Sequence, residues 1–143
     1  SALPPSLERL AALVDLDVSG CAFEALPACV GRLPSLKRLN TTGCAQLLSL
    51  GDAFAPPALE ALTLNDCHEL RSVPGTLSTL VHLQQLCLNE CAELMSLPDV
   101  TLLTELTQLS LVGCGGLRVM PTGLHSLTGC MVIFDDGEVV VGA

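Results

Sequence analysis

Five cysteines, Cys21, Cys44, Cys67, Cys91 and Cys114, stand 23, 23, 24 and 23 residues apart. Thiols can ligate metals, form disulfides or attack electrophiles, and each use demands its own geometry. A metal needs ligands that converge on one point, and the chain contains no C-x-x-C. Eight cysteines in a short secreted chain would suggest a disulfide framework. Five that recur on one period instead hold one structural position, and their side chains point the same way rather than at each other. Cysteines so placed pack as small hydrophobes. The five are therefore read as a structural ladder, with no metal and no cofactor.

Other reactive residues fare no better as a catalytic set. Cys87 lies four residues before Cys91 and faces the other side of its strand. As a solvated thiol it would need a base or cation to activate it. Its cross-strand neighbours, Thr63 and Ser110, supply neither. Asp15 and Asp17 are spaced for acid–base work or cation binding. The next strand offers them Arg38 and Asn40, which points to a cross-strand Asp–Arg attraction on a solvated face. His68, His82 and His125 have no metal-type partner at i+4 and no Ser/Asp arrangement, and they read as ordinary polar positions.

These residues are positioned by a repeat. Leu13, Leu36, Leu59, Leu83 and Leu106 each open the phrase L-x-x-L-x-(L/V/T)-x-x-C that a ladder cysteine closes. A period of this length marks a solenoid, because one unit cannot bury its own apolar face and must stack on a copy of itself. Within each phrase the period-2 alternation predicts a strand. Leu16/Val18, Leu39/Thr41, Leu62/Leu64, Leu86/Leu88 and Leu109/Leu111 point inward. Strands repeating in one sense must be parallel, so each needs a return segment. The returns carry Leu26-Pro27, Val73-Pro74, Leu97-Pro98 or Met120-Pro121, then apolar pairs at spacing three: Val30/Leu33, Leu77/Leu80 and Leu124/Leu127. Proline suits the first position of a helical turn, and the spacing predicts short 3₁₀ or irregular turns. Ala55-Pro56-Pro57 makes the second return extended, and the return over 99–105 is one residue short.

The expected organisation is one domain over 1–143. It comprises a partial repeat at 1–12, repeats starting near 13, 36, 59, 83 and 106, and a terminal strand or hairpin over 130–143 turning at Asp135-Asp136-Gly137. That hairpin is expected to cover the exposed face of the last coil, with Val132 and Phe134 inward. An opening in mid-repeat suggests a fragment of a longer protein.

Half of the 143 residues are hydrophobic, enough for one core. No run of 18 apolar residues and no apolar leader is present, so neither a membrane span nor a secretory signal is expected. A net charge of −9, with six Lys and Arg forming no basic patch, argues against nucleic acid and anionic membranes as partners.

The pattern LxxLxLxxC…LxxLPxxLxxL resembles the leucine-rich repeat family over essentially the whole chain. Cysteine at the ninth position with a following Leu-Pro is similar to the intracellular subclass, whose units occur in plant nucleotide-binding immune receptors and in protist proteins. The resemblance implies an α/β solenoid: a right-handed horseshoe with a parallel concave sheet and short turns on its convex side. It implies protein–protein interaction through the concave face. The candidate binding residues there are Asp15, Asp17, Arg38, Asn40, Thr63, Asn65, Gln85, Cys87, Asn89, Gln108 and Ser110. With no Trp or Tyr in the chain and one Arg on that face, the residues that dominate interface energetics are scarce. The leading expectation is a non-enzymatic, intracellular, cytoplasmic interaction segment with a protein partner. The alternatives are self-assembly through an uncapped first coil, at Leu3, Leu7 and Leu10, and a thiol-dependent enzyme using Cys87.

Overall fold

Alternating leucines generate strands only if each strand finds a neighbour to take up its backbone groups. In the structure, a computed structural model describing residues 5–141, that neighbour is the same segment of the next coil. Seven strands lie side by side in chain order: β1 (Asp15–Asp17), β2 (Arg38–Asn40), β3 (Ala61–Thr63), β4 (Gln85–Cys87), β5 (Gln108–Ser110), β6 (Met131–Phe134) and β7 (Gly137–Val140). The first six pair in parallel, and β6 with β7 antiparallel. The register sets Leu16, Leu39, Leu62, Leu86, Leu109 and Val132 in one row. All but Leu16 are buried.

The returns are 3₁₀ or irregular, as spacing three implied. Short 3₁₀ turns cover Pro5–Arg9, Val30–Arg32, Gly75–Thr79 and Leu124–Ser126. The described residues contain no α-helix, so the helical half of the expected α/β class is carried by 3₁₀ turns alone. Pro5 opens the first of these turns, but Pro27, Pro74 and Pro121 lie outside theirs. Pro74 caps the Gly75–Thr79 turn from just outside it, and its carbonyl accepts the Leu77 N–H at 3.0 Å. Pro98 precedes no helix. The second return, through Ala55-Pro56-Pro57, is irregular and buries Phe54. Gly31 lies so close beneath it that an added Cβ would stand 2.9 Å from the Phe54 Cα.

The terminal hairpin turns at Asp135 and Asp136, with Val132 buried and Phe134 packed on the core. It covers the last coil only in part, with Phe134 and Val141 packed on the core. The four residues of β7 are exposed, because β7 extends the sheet sideways instead of folding across the coil end. At the other end Leu7 is buried, which removes it from the predicted exposed apolar surface, while Leu10 is 48% exposed. Leu3 lies outside the described residues.

Three residues past the end of each strand from β1 to β5 stands a residue of left-handed backbone: Gly20, Gly43, Asp66, Glu90 and Gly113, with φ of 72°, 74°, 59°, 62° and 77°. This bend aims the amide of that residue at the next coil. The amides of Gly20, Gly43, Asp66 and Glu90 donate to the carbonyls of Thr42, Asn65, Asn89 and Val112 at 2.7–2.9 Å. Glu90 holds this conformation without glycine's freedom, and its carboxylate lies over Gly113. We predict that Glu90→Gly raises folding stability by about 0.5–1 kcal/mol, the relief of left-handed strain less glycine's entropy. Denaturant titration that finds the variant no more stable than the parent would refute this.

Candidate functional site

The open face of the sheet is built from the strand residues that alternate with the buried leucines. One row runs Asp15, Arg38, Ala61, Gln85, Gln108, Met131, and a second runs Asp17, Asn40, Thr63, Cys87, Ser110, Ile133. Polar and charged residues occupy the β1–β2 end and apolar ones the β6 end. Over β1 to β4 the face encloses a hollow of about 380 Å³, lined by Asp15, Asp17, Arg38, Asn40, Ala61, Thr63 and Gln85 and floored by Leu16 and Leu39.

The charged end is internally paired. Arg38 donates through Nε to Asp15 Oδ1, and its Nη2 lies 3.1 Å from Oδ2. That hydrogen bond holds the Asp15 carboxyl below the usual carboxylate range and raises the Arg38 guanidinium. Both groups are exposed, so the pair contributes little to stability. Asp17 is also held low, by hydrogen bonding from Ser19, whose amide donates to Oδ1 at 2.9 Å.

Several candidate residues prove to be committed to the backbone. Asn40 Oδ1 accepts the Thr42 amide at 3.0 Å, and Asn65 Oδ1 accepts the Asn89 amide at 2.9 Å. Asn89 Oδ1 accepts both the Val112 amide, at 2.9 Å, and the Ser110 hydroxyl, at 2.6 Å. These amides lie just past the strands, where the parallel ladder leaves them over. Ser110 is therefore buried, at 3% exposure, and not on the surface as expected. Cys87 is half-buried rather than solvated, and burial pushes its thiol up. Its cross-strand partners are Thr63 and Ser110, so no neighbouring base or cation activates it. Gln85 is exposed, while Thr63 and Gln108 are partly so. His68 Nδ1 lies 3.1 Å from the Glu90 carbonyl, and His82 Nδ1 lies 3.5 Å from Glu105, away from the open face.

The cysteines at the ninth position form hydrogen bonds that alternation did not reveal. Cys44, Cys67, Cys91 and Cys114 are buried, and each thiol donates to a carbonyl of the preceding coil. The acceptors are Val18 at 3.2 Å, Thr41 at 3.3 Å, Leu64 at 3.0 Å and Leu88 at 2.9 Å. Cys21, in the first coil, is half-buried. All eight cysteines are free thiols, and no group of three or more potential ligands among the described residues could hold a metal.

Geometry of this kind defines a parallel repeat solenoid, a class that presents one open sheet face. No protein-family model and no curated protein sequence matches the chain. Among solved structures it is similar to the leucine-rich repeat domain of the type III effector XopL, at 21% identity and a TM-score of 0.54, over 93% of this chain and 72% of that one. It also matches a leucine-rich repeat protein of Leptospira interrogans, at 17% identity and a TM-score of 0.37, over 94% of this chain and 52% of that one. The chain has the leucine-rich repeat fold. No helix among the described residues is long and apolar enough to cross a membrane.

Two measurements probe this site. Asn89→Ala strands the Val112 amide and the Ser110 hydroxyl, and it should cost about 1–3 kcal/mol in denaturant unfolding. A loss no larger than for an exposed Asn elsewhere would contradict the capping role. Burial pushes the Cys67 thiol up to about 11 and the Cys91 thiol to about 12, from 9.0. Below 9.0 both thiols are protonated in the folded and the unfolded chain. As pH rises further the unfolded chain ionises first, so stability is lost between pH 9.0 and about 12. Tm should fall over that window, and less steeply in Cys67→Ala/Cys91→Ala. Equal slopes would rule the thiols out as its cause.

Proposed function

We propose that the chain is a non-catalytic protein-recognition segment whose contact surface is the β1–β4 part of the open sheet face. The observation that carries this reading is the hollow of about 380 Å³ over those strands, rimmed by Asp15, Asp17, Arg38, Thr63 and Gln85. The open face is rigidly backed by buried leucines and offers both signs of charge and side-chain donors. It lacks the catalytic prerequisites at Cys87, whose thiol is pushed up by burial instead of down. Its anchors are few, since the chain contains neither Trp nor Tyr, and affinity per unit area is correspondingly low. A partner that matches it presents polar, hydrogen-bonding groups and not a polyanion, given the net charge of −9. Eight unpaired thiols suit a reducing compartment, which supports an intracellular, cytoplasmic setting. Self-assembly through the first coil has less support, because Leu7 is already buried.

The test is a partner captured on immobilised chain and then titrated against variants. Asp17→Lys/Arg38→Glu inverts the charges at the rim of the hollow and should weaken binding about tenfold. Met95→Ser, at an exposed residue outside the hollow, should leave it unchanged. Undiminished affinity in the charge-inverted variant would move the contact surface elsewhere.

A further inference from the structure

The last strand carries a second surface, distinct from the open-face hollow. β7 is the outer strand of the sheet, paired on one side with β6 and with nothing on the other among the described residues. A two-residue turn makes Phe134 and Gly137 the hydrogen-bonded closing pair, and such pairs alternate along an antiparallel ribbon. Val132/Val139 is then the next bonded pair, and the Val141 amide donating to the Cys130 carbonyl at 2.9 Å continues the series. The intervening residues, Glu138 and Val140, therefore aim their amides and carbonyls away from β6, at the free edge.

Beneath this edge lies a cavity of about 350 Å³ floored by Leu111, Cys114, Leu117, Met120, Phe134 and Val139. It exists because the hairpin diverts the chain. From the second coil to the fifth the ninth position is a buried cysteine whose thiol donates to the coil before it. In the sixth it falls at Gly137, which has no side chain, so among the described residues the Leu111 carbonyl accepts the Cys114 amide, at 3.3 Å, but no thiol. Asp135, Asp136 and Glu138 stand at the cavity mouth. Among the described residues none of the three is ion-paired.

We propose that the β7 edge docks an extended peptide whose residues alternate between basic and aliphatic. Its backbone would pair with Glu138 and Val140. Its aliphatic side chains, on the Val139 side, would enter the cavity, and its Lys or Arg side chains would meet Glu138 on the open face and Asp136 at the turn. The same carboxylates disfavour a second copy of this chain. Edge-to-edge pairing of two β7 strands would juxtapose their Glu138 residues, and β1 as a partner would bring Asp15 and Asp17.

Fluorescence anisotropy with labelled KVKVKVK tests this on the full chain. The peptide should bind saturably and at least tenfold more tightly than either EVEVEVE or KKKKVVV, which keeps charge and composition but not alternation. Asp136→Lys/Glu138→Lys should weaken binding about tenfold. Val140→Pro deletes an edge amide without touching the β6 pairing and should weaken it comparably, with thermal unfolding confirming a folded variant. Equal binding of KKKKVVV, or affinity unchanged in both variants, overturns the proposal by reducing the attraction to general charge. Sedimentation that shows a dimer dispersed by Val140→Pro also overturns it, since a second copy would then be the occupant.

Discussion

No coil of this molecule can satisfy its own backbone. Three-residue strands and irregular returns leave amides and carbonyls that only the neighbouring coil, held in register, can accept. From the first coil to the fifth the same contacts recur wherever one stacks on the next: the parallel strand pairs, the amide of the left-handed residue, and the thiols from Cys44 to Cys114. Registration is thus the common condition of the core, the cysteine row and the open face. A slip of one residue would bury the polar rows and expose the leucines.

That condition also accounts for cysteine at the ninth position. The carbonyls it reaches lie in the interior, where an unsatisfied hydroxyl or amide would be costly to bury. A thiol is a weak donor that behaves otherwise as a small hydrophobe, so it fills volume and meets a carbonyl without demanding more. Thr41 shows what a stronger group requires at a nearby inward position. Fully buried, its hydroxyl donates to the Thr63 carbonyl at 3.2 Å and lies 3.9 Å from the Cys67 sulfur.

Period and alternation together made the repeat, the parallel sheet and the terminal hairpin legible, because those depend on which residues face inward. Partners across coils were not legible in the same way. Alternation correctly turns Ser110 toward the open face, but it says nothing of the Asn89 carboxamide that binds its hydroxyl or of its burial. Asn40, Asn65 and Asn89 looked like free hydrogen-bonding groups, since the amides they cap are left over only once the short strands end. The returns were legible as 3₁₀ or irregular turns, yet the position of proline was not.

Chemistry grades along the open face in a way that separates its two ends. At β1 and β2, Asp15, Asp17 and Arg38 are exposed, and the Asp–Arg pair must be partly desolvated before anything larger than water can occupy the hollow. Contact there is selected by charge geometry more than by area. At β6 the corresponding positions are Met131 and Ile133, the β7 edge beside them has no partner among the described residues, and Asp135, Asp136 and Glu138 stand nearby. Contact at that end can recover apolar burial and backbone hydrogen bonds together, with the carboxylates rejecting acidic strands. A single extended ligand running along the whole face would have to change character within about 24 Å, the width of six strands. The physics favours two separate contacts over one continuous one.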